Sequence, residues 1–461
     1  MKKSFKLVFV LFIVSSMYVN AQNYEANWES LDSRPVPEWF ADARFGIFIH
    51  WGVYSVPAWA PTNLESGQTI YQKYSEWYWK RLMDPKNEYF RPHHEAMYGS
   101  GFKYQDFATD FDATYFDADQ WADLFKRSGA KYIVLTSKHH DGFTLWPSRE
   151  SWNWNSVDIG PHRDICGELN SAIRAKGLHM GFYYSLYEWF NPLYKDNLEK
   201  YVDTHMIPQI KDLVTRYEPD LLWTDGEWDH NSDKWKSEEI LAWLYNESPV
   251  KEKIAVNDRW GKETRSNHGG YYTTEYDLVH SGEGIDDAVS HPWEECRGIG
   301  GSFGWNRTES LEDYSTSEEI IHILIEKVSA GGNLLLNVGP TADGHIPVIM
   351  QQRLMDIGDW LKVNGEAIYE TRVWDNNPSL KKVDKIFFTT KGSDLYVIVT
   401  KWHKQIVIPQ LSKAKSVTLL GSDLKVNHKF SGSKLTIQAP DVNPGNIPCN
   451  HAWVYKIENA L

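Results

Sequence analysis

The chain has 461 residues, 42% of them apolar and 24% charged, with a formal charge of −14. That length suits one large domain with a smaller companion, and the acidic balance argues against nucleic acid or an anionic membrane surface as partner. Cys166, Cys296 and Cys449 are far apart and odd in number, which argues against a disulfide-stapled scaffold and a zinc ribbon.

Residues 1–21 read as a secretory signal. Lys2, Lys3 and Lys6 precede an apolar run over 7–14, and small residues at 19–21 place a cut before Gln22. Eight apolar residues are too few to span a bilayer, and no cysteine follows for lipid attachment, so the expectation is export to the periplasm or the exterior. No later segment reads as a membrane span.

From about residue 40 to 370, strand-like and helix-like segments alternate. The run 44–49 (RFGIFI) ends at His50-Trp51-Gly52. Residues 117–128 form an amphipathic helix with Trp121, Leu124 and Phe125 on one face. A strand over 131–136 leads into Ser137-Lys138-His139-His140-Asp141-Gly142. A helix over 163–176 is closed by Gly177 in the position of a C-cap, and the strand 178–184 ends Tyr183-Tyr184-Ser185. A long helix over 198–217 feeds the strand that ends at Trp223-Thr224-Asp225-Gly226. Residues 237–245 are helical, and the strand 253–256 ends Asn257-Asp258-Arg259-Trp260. Residues 271–279 are β-prone, 317–329 helical, 333–338 a strand and 348–363 a final helix.

Seven or so strands with helices between them predict a (β/α)8-like, TIM-type barrel over 22–370. No glycine-rich phosphate loop follows any strand, which disfavours a doubly wound sheet. Beyond 371 the segments 386–390, 395–400, 406–408, 417–420, 435–437 and 453–456 are short and β-prone, several of them separated by turns. They predict a C-terminal antiparallel β-sandwich over 371–461. The 22 tryptophans and 25 tyrosines serve either a large core or stacking on sugar rings.

In such a barrel, catalytic groups sit at the C-terminal ends of the strands. The strand ends here carry His50, His139 and His140, Tyr184, Asp225, Arg259 and Glu275. Converged, they make a pocket rich in hydrogen-bonding groups with two carboxylates, the equipment of glycoside hydrolysis. A metal hydrolase built on the His pair is the competing enzyme reading. Adjacent residues of a strand point to opposite faces, so His139 and His140 chelate one metal poorly unless the strand end bends. There is no HExxH either. No metal or cofactor is called for.

The chain carries the blocks 45–52 (FGIFIHWG), 75–78 (SEWY), 138–143 (KHHDGF), 223–226 (WTDG), 257–261 (NDRWG), 274–276 (TEY), 298–304 (GIGGSFG) and 332–340 (GNLLLNVGP). Together they resemble the retaining α-L-fucosidases of glycoside hydrolase family 29, and the resemblance runs from about Trp39 to the C-terminus. The resemblance implies a barrel followed by a β-sandwich, exo-acting release of terminal α-L-fucosyl residues, and fucosylated oligosaccharides or glycoconjugates as partners. It implies Asp225 as nucleophile and Glu275 as acid/base, with Glu294 as the alternative in other branches of the family. His50, Glu76, Trp77, His139, His140, Tyr184, Trp223 and Arg259 are implied to hold the sugar and support the nucleophile. Phe48, Tyr74 and Phe303 are implied to wall the methyl group of the 6-deoxy sugar. A fucose-binding protein without catalysis is the alternative, and turnover of a chromogenic fucoside separates the two.

Overall fold

In the computed structural model, residues 23–63, 70–277, 291–374, 384–411 and 413–461 are described. The signal reading at 1–21 lies outside them. Among the described residues, eight parallel strands form a barrel: β1 (Phe45–Ile49), β2 (Tyr132–Lys138), β3 (His179–Ser185), β4 (Leu221–Asp225), β5 (Ala255–Val256), β6 (Tyr272–Glu275), β7 (Trp293–Gly298) and β8 (Asn333–Val338). They pair in sequence order, and β8 returns to β1, with Phe48 opposite Asn337. Between β5 and β6 a single parallel bridge, Asn257 to Tyr271, links the two remaining edges. Tyr271 N donates to Val256 O at 3.0 Å beside it.

The strands are buried along nearly their whole length, because the pleat supplies two apolar faces. One face points outward to the helices and includes Ile47, Ile133, Phe182, Leu222 and Leu336. The other fills the barrel with Phe48, Tyr132, Val134, Tyr183, Leu221, Trp223, Cys296 and Leu335. A parallel sheet covered on both faces reads as continuous apolar runs for this reason. Gly46 is required by the filling: a Cβ there would lie 2.4 Å from the Tyr132 ring.

The expected helices form as Ala118–Arg127, Ile165–Ala175, Ser237–Asn246, Ser317–Ser329 and Val348–Asn364. Asp117 caps the first by accepting from Gln120 N at 3.0 Å. The long helix expected over 198–217 is divided, with a π-helical turn at Val202–Met206 between Leu198–Tyr201 and Ile207–Tyr217. Pro208 in the first turn of the last segment cannot donate a backbone hydrogen bond, and the irregular turn precedes it.

The C-terminal region contains a five-stranded and a three-stranded antiparallel sheet around their own apolar core. Besides the expected segments it has β-strands at Arg372–Val373 and Asn427–Ser431. Phe387, Tyr396, Ile398 and Val454 of the five-stranded sheet join the apolar cluster of the barrel helices. Trp360 Nε1 donates to Ala452 O across the same contact at 2.9 Å.

Candidate active site

The C-terminal ends of the barrel strands surround a cavity of about 290 Å3. Asp225, the last residue of β4, enters it because Leu221, Trp223 and Asp225 share the inward face. Gly226 then turns the chain sharply, with φ +76°. A Cβ at this position would sit 2.5 Å from Tyr187 Cβ and 2.8 Å from its backbone nitrogen. Only glycine fits a left-handed conformation against that neighbour.

The cavity brings together Phe48, His50, Tyr74, Glu76, Trp77, His139, His140, Trp223, Asp225, Arg259, Glu275 and Phe303 from the sequence reading. Tyr184 is the exception. On β3, Tyr183 pairs with Trp223 and Tyr184 with Thr224, so Tyr183 faces the interior and Tyr184 faces the helices. The Tyr184 hydroxyl donates to Gln209 Oε1 at 2.8 Å, and Lys138 Nζ lies 4.4 Å from its ring centroid. The inward tyrosine is Tyr183, whose hydroxyl donates to Asp225 Oδ2 at 2.9 Å. The parity of one strand against its neighbour decides between them, and parity is set by register.

Both histidines of the pair reach the cavity, their ring centroids 4.1 Å apart. The regular strand stops at Lys138, where the β2–β3 register shifts after Thr136, so the two-residue alternation no longer holds at 139 and 140.

Asp225 is surrounded by polar groups. Arg259 Nη1 lies 2.8 Å from Oδ1, Arg265 Nη2 3.7 Å from Oδ1 and His140 Nε2 3.9 Å from Oδ2. Burial alone would raise its pKa. Arg259 foremost, and Arg265, outweigh burial and hold the carboxyl below its usual range, so it is ionised at neutral pH. Glu275 meets the same arginine from the other side, with Oε2 3.6 Å from Nη2. Its pKa is raised, by burial foremost and by the charge of Asp225, against the lowering effects of Arg259 and a 2.8 Å hydrogen bond from Tyr74. Two carboxyl groups on one guanidinium are thus driven in opposite directions, one toward the anion and one toward the acid.

Glu294 does not line the cavity. It lies fully buried inside the barrel, where Tyr132 donates at 2.5 Å and Trp223 Nε1 at 2.9 Å. Burial raises it to about 7. Trp223 carries Arg259 over its ring, 4.3 Å from the centroid, so Glu294 supports the site from below.

The hydrogen-bond partners fix which histidine nitrogens face the cavity. Asn337 Nδ2 donates to Phe303 O at 2.7 Å, which turns its Oδ1 to His50 Nδ1 at 2.7 Å. Ser185 Oγ donates to Tyr187 O, so it accepts from His140 Nδ1 at 2.6 Å. Burial holds His50 at about 3 and His140 at about 4, and therefore neutral. Each ring donates from Nδ1 and leaves Nε2 as an acceptor for a substrate hydroxyl. Glu76 accepts from Gly304 N at 2.8 Å and Ser302 Oγ at 3.2 Å, and burial raises it to about 7.

Among the described residues, six that line the cavity were not singled out in the sequence: Tyr71, Arg81, Tyr183, Trp228, Arg265 and Cys296. Trp228 and Tyr183 stand near strand ends already of interest. Arg265 and Arg81 come from connecting segments, where no periodicity marks them.

An eight-stranded parallel barrel with two carboxyl groups at its C-terminal mouth has the layout that glycoside hydrolysis uses. Comparison with known proteins is more specific. The family profile described as alpha-L-fucosidase matches residues 11–366, and that of the alpha-L-fucosidase C-terminal domain matches 378–458. The chain belongs to the α-L-fucosidase family. It is 43% identical to the tissue alpha-L-fucosidase of Rattus norvegicus, covering 94% of this chain and 92% of that one. A Thermotoga maritima alpha-L-fucosynthase structure superposes with a TM-score of 0.79 at 36% identity, covering 95% of this chain and 100% of the other. The Thermotoga maritima alpha-fucosidase in complex with fucose gives 0.75 at 34% identity, covering 94% and 100%.

Proposed function

We propose that the protein is an exo-acting α-L-fucosidase that releases terminal α-L-fucosyl residues from glycans by double displacement with retention. The observation that carries this reading is the shared guanidinium: Asp225 and Glu275 bracket Arg259 with opposite pKa shifts, in a cavity of about 290 Å3 at the barrel mouth. Asp225 attacks the anomeric carbon as the bond to the leaving oxygen breaks, and Glu275 gives that oxygen its proton. Glu275, now ionised, takes a proton from water, which attacks the same carbon and frees Asp225. Neutral His50 and His140 accept sugar hydroxyls. A binding-only protein needs no second carboxyl, and hydrolysis of 4-nitrophenyl α-L-fucoside by the purified protein tests the choice.

The pH profile follows from the two carboxyls. Activity in kcat/KM requires Asp225 ionised and Glu275 protonated, so the basic limb reports Glu275 and lies above the ordinary glutamate range. The Tyr74 hydroxyl stabilises the Glu275 carboxylate. Its loss in Tyr74→Phe favours the protonated form and moves the basic limb to higher pH. A limb that stays in place or moves down contradicts the assignment of that limb to Glu275.

Phe48, Tyr74 and Phe303 are at most 4% exposed, and Phe303 stands 5.3 Å from Tyr74 and 6.4 Å from Phe48 between ring centroids. Such a wall favours a methyl by about 0.8 kcal/mol per carbon. An added hydroxyl without a partner costs about 1–3 kcal/mol, and apolar walls of this kind discriminate roughly a hundredfold. L-Fucosides are therefore expected to be preferred over L-galactosides. Phe303→Ala should reduce the ratio of the two kcat/KM values. An unchanged ratio in a folded variant removes the methyl wall from the account.

Export is proposed on residues 1–21 alone, with a mature chain beginning at Gln22. N-terminal sequencing of the protein from its native host checks it.

A further inference from the structure

Glu227 and Arg265 form a buried pair beside Asp225 that the reaction outlined above does not use. Arg265 Nε donates to Glu227 Oε1 at 2.5 Å, and the other end of the guanidinium, Nη2, stands 3.7 Å from Asp225 Oδ1. The Glu227 side chain is 2% exposed and that of Arg265 11%. The backbone beyond Arg265 is held in a conformation unusual for its residue. Ser266 has φ +55°, and its N–H donates to Asp258 Oδ2 at 2.9 Å. Asp258 also binds Thr273 N and Oγ1, and Thr273 Oγ1 accepts from Arg259 Nε at 3.0 Å. One carboxylate thus ties down the loop that delivers both arginines. Strain of this kind persists where the surroundings over-determine it.

We propose that Arg265, aimed by Glu227, is a positioning residue for Asp225, fixing the rotation of its carboxylate and maintaining its charge for attack. Asp225 Oδ1 then faces two cations, Arg259 and Arg265, while Oδ2 faces the Tyr183 hydroxyl and His140. Glu227 keeps the second cation from folding away and balances its charge. When the ester forms and Asp225 loses its charge, Glu275 and Glu227 still face the two guanidiniums. The inference rests on the reading of Asp225 as nucleophile.

The test is inactivation by 2-deoxy-2-fluoro-α-L-fucosyl fluoride. Its attack forms the Asp225–C1 bond, expels fluoride and leaves a slowly hydrolysed ester. In the wild-type protein one label per chain should map to the peptide containing Asp225. A label elsewhere overturns the nucleophile assignment itself. With that label in place, Arg265→Met is expected to lower the inactivation rate constant roughly tenfold to a hundredfold, the effect of a misplaced reacting group, with the reagent's binding constant little changed. Arg265→Lys should recover part of the loss. Glu227→Ala should lose rate comparably, and Glu227→Gln, which keeps an acceptor for Nε, should lose less. The double variant Glu227→Ala with Arg265→Met should be no slower than Arg265→Met alone, because the two act as a unit. Losses that multiply, a changed binding constant with an unchanged rate, or a wild-type rate in Arg265→Met each overturn the proposal. If Arg265→Met does not fold, as judged by its melting transition, Arg265→Lys and the two Glu227 variants decide by the same rates.

Discussion

Replacing Asp225 by glycine is expected to lower kcat by roughly 10³–10⁶-fold, the range seen when a covalent nucleophile is removed, with little change in the melting transition. The side chain lies in the cavity, held by Arg259, Tyr183 and two longer contacts, and its removal opens space beside the anomeric carbon. Azide added to this variant should enter that space and attack an activated fucoside from the vacated face. The product should be the β-L-fucosyl azide, inverted relative to the substrate. A variant that keeps near-normal activity, or one that azide does not rescue and that still gives fucose, contradicts the assignment of Asp225.

Glu275→Ala should separate substrates by their leaving groups. An aryl fucoside with an acidic phenol departs without a proton, so its first step survives. A fucosylated oligosaccharide, whose leaving alcohol needs the proton, should lose roughly 10²–10⁴-fold in kcat/KM. Azide attacking the glycosyl-enzyme of this variant should give the α-L-fucosyl azide, the opposite anomer from the Asp225 variant. Glu294→Gln is the control. Its carboxyl is sealed under Trp223 and reaches no leaving group, so any loss it causes should fall on both kinds of substrate alike. A leaving-group pattern in the Glu294 variant that is absent from the Glu275 variant requires the roles to be exchanged.

The barrel was legible because covered parallel strands read as apolar runs bounded by turns, and β1 to β5 and β8 carry that signal. β7 does not. Its sequence, Trp293-Glu294-Glu295-Cys296-Arg297-Gly298, places two fully buried glutamates in a strand buried everywhere but at Arg297. Glu294 is satisfied by Tyr132 and Trp223 inside the barrel, and Glu295 by Arg297 on the outside. The partners of Glu294 are distant in sequence, so the run looked polar. Asn427–Ser431 was missed for the opposite reason, since it is an exposed edge strand with no apolar alternation.

Among the residues picked out at strand ends, His50, Asp225, Arg259 and Glu275 converge in the cavity. The choice of Tyr184 over Tyr183 failed because inward and outward positions on β3 depend on its register with β4. Glu227 offered a faint signal, standing two residues after Asp225. Arg265 offered none, since its place is set by Asp258 holding the loop. Tyr74, read only as a wall for a methyl group, also donates to Glu275, a second role that residue type alone does not disclose.

Asp225 is proposed to displace the leaving group at the anomeric carbon and then to be displaced itself by water. Proton NMR during the first minutes of hydrolysis of 4-nitrophenyl α-L-fucoside, before mutarotation, tests this most directly. Two inversions predict that α-L-fucose appears first and the β anomer grows in only as the sugar equilibrates. If β-L-fucose is the first product, water has attacked directly, and the covalent role of Asp225 is contradicted.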